Sequence, residues 1–162
     1  MRPGDGDDWL RLNGAGESLV ASAVDFENFA EPRPELPERA AADLEAAVRL
    51  LAEHDWPFRL HATYDETIRM DLDVLERTGA FPGGVRWILD HAETISPDSI
   101  DRVAALGGAI SVQHRMAYQG RAFVERYGRE RAAQAPPVRG MLARGVTVAA
   151  GTDAPRVSTY NP

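Results

Sequence analysis

The sequence contains no cysteine. It also contains no lysine, so the 18 residues counted as lysine or arginine are all arginine. A chain without cysteine forms no disulfide and offers no thiolate as a metal ligand or nucleophile. A chain without lysine has no phosphate-loop lysine, no Schiff-base lysine and no carbamylated lysine to bridge two metal ions, since guanidinium stays protonated and is a poor nucleophile. The chemistry of these two side chains is therefore excluded.

Long apolar runs and clusters of positive charge are also missing. No run approaches the roughly 20 apolar residues needed to cross a bilayer, and the acidic start Met1–Asp8 is unlike a signal peptide. The formal charge is -7 and the arginines are scattered singly, which argues against nucleic-acid binding. With 44% hydrophobic and 27% charged residues, the sequence predicts one soluble globular domain, in the cytoplasm, without nucleic-acid or membrane partners.

Short apolar segments alternate with amphipathic ones. A capping box of Thr63 and Glu66 begins one helix that stops at Gly79, and Ser96 before Pro97 begins another. The predicted helices span residues 36–54, 63–79, 96–106 and 118–144, the last of which is one or two helices broken near the prolines at 136 and 137. The predicted strands are Trp9–Leu12, Phe58–Leu60, Val85–Leu89, Ala109–Val112 and Val146–Ala150.

This alternation predicts an α/β fold with parallel strands and helical crossovers. Two architectures fit it, an open doubly wound sheet and part of a (β/α)8 barrel. A full barrel usually needs about 250 residues, so about three of its eight units would be missing here. The segment Asn13–Glu17 after the first predicted strand matches neither the dinucleotide-binding nor the phosphate-loop pattern, which disfavours nucleotide binding.

Polar side chains lie where the predicted strands end. His61 and His91 end two strands, and Asp153 follows the last one. Ligands bind at the carboxyl ends of parallel strands, so these three residues are expected to converge as metal ligands or acid/base groups. The alternative is structural, with the histidines capping backbone carbonyls and Gly151–Pro155 forming an ordinary turn.

A second group of polar residues near the same strand ends is predicted to contact polar or anionic groups of a substrate. It consists of Gln113, His114, Arg115 and Arg156. His114 has an alternative role in a hydrogen-bonded loop cluster. Asp65 has an alternative role in stabilising the start of its helix, and Glu93 is a candidate to orient His91.

Three motifs resemble those of strands five, six and eight of the amidohydrolase superfamily, and of its family 3 branch above all. They are His61–Asp65, Asp90–Glu93 and Gly151–Ala154, and the resemblance covers about Trp9 to Pro162. It implies a metal-dependent hydrolase that cleaves carbon-nitrogen bonds of amides or cyclic amides on a (β/α)8 barrel. It also implies that His61 and Asp153 bind the metal, that His91 either binds the metal or polarises the substrate, and that Asp153 is the general base.

Imidazole and carboxylate ligands suit a divalent ion, most of all zinc, which lowers the pKa of a bound water to about 7. Iron and manganese stay open, as does the number of ions, one or two. The family's strand-four lysine is replaced by Arg11, so no carbamate bridge forms, and Glu17 is the nearest carboxylate that would bridge two ions.

The family's strand-one His-x-His pair has no counterpart in the sequence. We therefore expect residues 1–162 to form a single incomplete domain, a partial barrel holding about strands four to eight of a longer parent enzyme. Its open edges predict self-association or pairing with the missing half. Two alternatives remain: a catalytically incompetent fragment that needs a complementary chain, and an unrelated α/β binding domain with structural histidines.

Overall fold

The computed structural model describes residues 2–20, 25, 28–79 and 86–154, and its centre is one parallel sheet. The strands lie in chain order across the sheet: β1 (Phe58–Ala62), β2 (Trp87–His91), β3 (Ala109–Gln113) and β4 (Thr147–Gly151). The helices are α1 (Ala40–Glu53), α2 (Asp65–Thr78), α3 (Pro97–Ala105), α4 (Met116–Ala132) and α5 (Val138–Ala143).

One face of the sheet packs against the helices. Leu60, Leu89 and Ile110 form a row across β1, β2 and β3 and are fully buried. They share one apolar cluster with Val48 of α1 and Leu72 of α2. Complete burial of each such side chain contributes about 1.5–3 kcal/mol, so this layer holds the strands in their pairing register.

The strand register brings the carboxyl ends of the strands to one edge. Ala62 is paired with His91 across β1 and β2, and Gln113 is paired with Gly151 across β3 and β4. Residues that follow the strands are thus neighbours in space although they lie tens of residues apart in sequence.

Most of the predicted elements are confirmed. Four of the five predicted strands are present, although residues 80–85, which include the predicted strand residue Val85, lie outside the described part of the chain. Gly79 ends α2 as predicted. Ser96 caps α3, since its hydroxyl accepts a hydrogen bond from the Ser99 N–H at 3.2 Å. The 118–144 segment contains two helices, α4 and α5, on either side of the two prolines.

The predicted strand Trp9–Leu12 is wrong. The Asp7 carboxylate accepts hydrogen bonds from the N–H groups of Trp9 and Leu10, which fold the segment into a local turn. The Trp9 side chain is 95% exposed. The position beside β1 belongs to Ala15, which forms a parallel bridge with Phe58. An apolar run of this length does not distinguish a buried strand from an exposed turn.

The predicted capping box at Thr63 is also wrong, because α2 begins two residues later and Tyr64 is its N-cap residue. A distant carboxylate replaces the predicted cap: Asp25 accepts hydrogen bonds from the N–H groups of Thr63 and Tyr64 at 3.0 and 3.1 Å. The next N–H, that of Asp65, donates to the Thr94 hydroxyl at 2.9 Å. The carboxylate of Asp65 accepts from the Ser96 N–H, so it ties α2 to the start of α3.

Candidate metal centre

His61 and His91 lie side by side at the carboxyl edge of the sheet. His61 is the fourth residue of β1 and His91 is the last residue of β2. Their ring centroids are 4.1 Å apart, and both side chains are buried. The sequence prediction that these two histidines converge agrees with this geometry.

Glu17 completes a cluster with these histidines. Its segment runs beside β1, because the His61 N–H donates to the Glu17 carbonyl oxygen at 3.2 Å. The Glu17 Oε2 atom is 2.9 Å from His91 Nε2 and 3.5 Å from His61 Nδ1. One ligand atom from each of the three residues lies within 4.8 Å of the others.

The hydrogen bonds of His61 fit a metal ligand. His61 Nε2 faces the backbone carbonyl oxygen of Asp25. A carbonyl oxygen only accepts, so Nε2 carries a proton and Nδ1 is the ring atom that faces Glu17. Nδ1 is joined to the carboxylate either by its own proton, as a hydrogen bond, or by a metal ion between the two atoms. Metal-ligating histidines commonly donate their second ring N–H to such a carbonyl.

The electrostatics of Glu17 favour an anionic ligand. Hydrogen bonds from His61 and from His91, in that order of size, hold the pKa of the Glu17 carboxyl far below its usual range. These contributions outweigh the opposing effect of partial burial. The carboxylate is therefore charged over the whole working pH range and is available to a cation.

The backbone at this edge departs from ordinary strand geometry. Strand alternation places Asp90 on the face opposite Leu89, and His91 would then return to the helix side. His91 instead has φ of +82° and Ala92 has φ of +54°. The left-handed turn lets the His91 ring meet Glu17 and Gln113. Left-handed non-glycine residues cost about 1–3 kcal/mol each and concentrate at functional sites.

Asp153 lies at the same edge but outside the cluster. Within the described ranges, the set of possible ligands in mutual reach is Glu17, His61 and His91. The Asp153 carboxylate instead accepts a hydrogen bond from Arg115 Nη2 at 2.6 Å. Asp153 and Glu17 nevertheless line one cavity of about 110 Å³. The other residues around this cavity are Arg59, Asp90, Ser111, Gln113 and Gly151.

The predicted substrate-contact residues occupy different environments. The Gln113 amide nitrogen contacts His91 Nδ1, so this side chain touches a candidate ligand. His114 packs against Tyr118 with ring centroids 5.6 Å apart, and neither of its ring nitrogens has a hydrogen-bond partner among the described residues. Arg115 is 1% exposed. Arg156 lies outside the described residues. Arg11 is exposed and donates to the Asp7 carbonyl, away from the site.

Sequence reasoning missed three residues around the site. Asp25 holds His61 and the start of α2, and Arg59 forms a two-point hydrogen bond with Asp90 on the face of the sheet that lines the 110 Å³ cavity. No sequence signal marks Asp25, because its contacts are with residues 36 or more positions away. The Arg59–Asp90 pair had a weak signal, since both charges interrupt apolar strands.

The buried carboxyl of Asp71 in α2 is expected to make the folding stability depend on pH. Its carboxyl is buried, and neither oxygen has a hydrogen-bond partner among the described residues. Burial raises the pKa of this carboxyl well above its usual value, and the nearby Asp25 raises it further. The unfolded chain loses this proton near pH 4 whereas the folded chain keeps it, so folding stability falls as pH rises above about 4.

Asparagine takes up no proton, so Asp71→Asn is expected to raise the free energy of unfolding at pH 8 relative to the parent chain. The gain is about 1.4 kcal/mol for each pH unit over which only the folded chain keeps the proton. The gain is expected to shrink toward zero at pH 4. Urea unfolding of both chains at the two pH values measures it. An equal difference at pH 4 and pH 8 would contradict the assignment of a buried, protonated carboxyl.

Parallel strands in chain order with imidazole and carboxylate groups at their carboxyl edge define an α/β protein of the (β/α)8-barrel kind with a candidate metal site. The sequence model of the Amidohydrolase family matches residues 1–162, and the chain belongs to that family. This confirms the predicted resemblance. No curated protein matches the chain at a significant level.

Solved structures share the fold. An uncharacterized metal-dependent hydrolase from Pyrococcus furiosus matches 99% of this chain with a TM-score of 0.74 and 19% identity. An uncharacterized metal-dependent hydrolase from Pyrococcus horikoshii OT3 matches 91% with a TM-score of 0.68 and 22% identity. A prolidase complexed with N-methylphosphonate-L-proline matches 76% with a TM-score of 0.52 and 12% identity.

The chain spans 34% of the length of the first of these structures and 30% of the other two. The predicted fold class, a partial (β/α)8 barrel, is confirmed. Among the described residues, no helix is both long enough and apolar enough to span a membrane.

Proposed function

We propose that this chain carries part of the active site of a metal-dependent hydrolase that cleaves carbon-nitrogen bonds of amides or cyclic amides, within a longer parent enzyme. The observation that carries the proposal is the Glu17–His61–His91 cluster, with three ligand atoms in mutual reach. Membership of the Amidohydrolase family and the likeness to metal-dependent hydrolases support it.

We propose zinc as the ion, because two imidazoles and a carboxylate are ligands that it prefers. Glu17, His61 and His91 would hold it, and Asp153 would complete the set. When bound, the ion would supply an acidified water and a polarised carbonyl. The proposed site would hold one or two ions, and the family's strand-one His-x-His pair has no counterpart in this sequence.

The chain's own residues supply the proton transfers. Asp153 lines the 110 Å³ cavity with Glu17, and a cavity of this volume has room for a water molecule. The Asp153 carboxylate would take the proton from that water and return it to the leaving nitrogen, a role that is worth about 10²–10⁴-fold in rate. His91 is proposed to polarise the substrate carbonyl. Gln113, His114 and Arg156 remain proposed contacts for polar substrate groups.

A second candidate is a fragment without activity until a complementary chain joins it. The open edge of the sheet favours this reading, because within the described residues β4 pairs with β3 alone, and Ala149 and Ala150 are exposed. An exposed edge strand is a template for pairing with another strand. The partner would be the missing half of the barrel or a second copy of this chain. A cytoplasmic location and a small-molecule substrate also remain proposals.

Elemental analysis of the zinc-loaded chain after gel filtration tests the proposal, followed by an assay for amine release from N-acyl amino acids, X-Pro dipeptides and cyclic amides. The matched variant is His61→Ala/His91→Ala, and the control is His54→Ala, whose ring lies at the end of α1. The expected result is about one or two zinc ions in the parent chain and the control, and none in the double variant.

The outcomes separate the two candidates. Bound zinc with amine release supports the hydrolase directly. Bound zinc without amine release supports the incomplete fragment. A folded chain that binds no zinc would overturn the proposed metal site in this chain and leave the incomplete fragment. A double variant that binds as much zinc as the parent would overturn the assignment of His61 and His91 as ligands.

A further inference from the structure

Three charged residues occupy equivalent positions after three neighbouring strands. Glu93 lies two residues after the end of β2, Arg115 two residues after the end of β3, and Asp153 two residues after the end of β4. The register of β3 and β4 pairs Gln113 with Gly151, which brings Arg115 opposite Asp153, and an ion pair brings Glu93 to the other side of Arg115. The three side chains form one row along the carboxyl edge. Arg115 is in the middle of the row.

The guanidinium of Arg115 is enclosed between the two acids. Its Nη2 atom donates to Asp153 Oδ2 at 2.6 Å, and its Nε atom is 3.8 Å from Glu93 Oε1. The side chains of Arg115 and Glu93 are each 1% exposed, whereas that of Asp153 is 33% exposed. The buried part of the row is thus the arginine and its inner acid, and the outer acid reaches the cavity that it shares with Glu17.

Stability alone does not account for this arrangement. Taking a guanidinium and a carboxylate out of water costs several kcal/mol per ion, and apolar side chains of similar volume often serve stability as well or better. A planar guanidinium does supply direction, because its donors are fixed in a rigid fork that holds a carboxylate in one orientation. The Glu93–Arg115 pair is therefore suited to hold the Asp153 carboxylate in one orientation.

The backbone conformation of Asp153 also indicates that surrounding contacts hold this residue in place. Asp153 has φ of +52°, in the left-handed region. Such a conformation persists when surrounding contacts hold it. The hydrogen bond from Arg115 is the side-chain contact that reaches the Asp153 carboxylate from the neighbouring strand.

We propose that Arg115 is a positioning residue that fixes the Asp153 carboxylate beside the Glu17–His61–His91 cluster, and that Glu93 in turn fixes Arg115. This assignment replaces direct substrate contact as the role of Arg115. It rests on the proposed function, since it requires that the cluster binds a metal ion to which Asp153 contributes.

Cobalt(II) binding to the full chain tests the proposal, because its affinity and its visible absorption spectrum both report the ligands. The variants are Arg115→Gln, Asp153→Asn and the two combined. The expected result is that Arg115→Gln weakens cobalt binding about 10–100-fold, as is usual for partners that orient a ligand, and alters the spectrum as Asp153→Asn does. In the Asp153→Asn background, Arg115→Gln is expected to have no further effect on either.

Arg115→Lys serves as the conservative variant. It retains the charge but loses the fork, so it is expected to recover part of the affinity. Arg121→Gln is the matched control, because Arg121 is an exposed arginine of α4 that pairs with Glu125. If Arg115→Gln does not fold, Glu93→Gln releases the arginine more gently, and its smaller effect is likewise expected to vanish in the Asp153→Asn background.

Each result bears on a separate claim. A folded parent chain that binds no cobalt overturns the proposed function, and the role of Arg115 falls with it. Cobalt binding that is unchanged by Arg115→Gln, with the same spectrum, overturns the role of Arg115 alone. Independent, multiplicative losses in the combined variant also overturn it, since they show that Arg115 does not act through Asp153.

Discussion

Glu17→Gln is expected to weaken zinc binding by the chain about 100-fold or more, a larger loss than removal of an orienting partner usually causes. Glu17 is the anionic member of the cluster, and glutamine has nearly the same shape without the charge. The loss therefore reports the charge and the ligand atom rather than a cavity in the protein. Competition with a chromogenic chelator measures the dissociation constant.

Glu53→Gln is the matched control, since Glu53 is an exposed residue at the end of α1. Zinc affinity equal to that of the parent chain in Glu17→Gln would contradict the assignment of Glu17 as a ligand. A weakened affinity in Glu53→Gln of the same size would show that surface charge accounts for the effect.

Gly108→Ala is expected to lower the free energy of unfolding by about 2–3 kcal/mol, in the range that overpacking of a filled core causes. A Cβ atom at Gly108 would lie 2.3 Å from two ring atoms of Trp87, which is buried. Trp87 begins β2 and Gly108 directly precedes β3, so neither side has room to retreat without moving a strand. Urea unfolding measures the change.

Gly140→Ala provides the comparison. A Cβ atom there would meet ordinary contacts, the nearest at 3.7 Å, and alanine is favoured over glycine within a helix such as α5. We expect this control to be neutral or slightly stabilising. A Gly108→Ala chain within about 0.5 kcal/mol of the parent would contradict the packing of Trp87 against the loop before β3.

Much of the sheet was predictable because its signals are local. The apolar runs that became β1, β2, β3 and β4 are short and bounded by glycine, proline or charged residues, and α3 carries a serine cap in its own sequence. The failed prediction at Trp9 used the same kind of signal. The outcome differed because the Asp7 carboxylate accepts hydrogen bonds from the N–H groups of Trp9 and Leu10. These N–H groups then need no neighbouring strand as a partner.

The candidate site was predictable in part. The histidines at two strand ends were visible because strand ends converge at one edge, and Glu17 was named only as the nearest carboxylate after a strand that proved to be misplaced. Its position beside His61 depends on the bridge between Ala15 and Phe58. No pattern in the sequence shows that bridge, since it joins segments more than 40 residues apart.

The contacts of Asp25 and Arg115 could not be predicted from the sequence either, because they also join segments that are far apart in the chain. Asp25 reaches His61 and the start of α2 from a segment 36 or more residues away, and Arg115 reaches Asp153 across 38 residues. Charged side chains have long reach and many possible partners, so the identity of the partner follows from the fold and not from spacing.

Anomalous diffraction at the zinc absorption edge, from crystals of the chain grown with zinc, tests the central claim most directly. We predict an anomalous peak bounded by Glu17, His61 and His91, with imidazole nitrogens at about 2.0–2.1 Å from it. A peak confined to surface carboxylates, with the rings of His61 and His91 still directed at Glu17 and no density between them, would contradict the account.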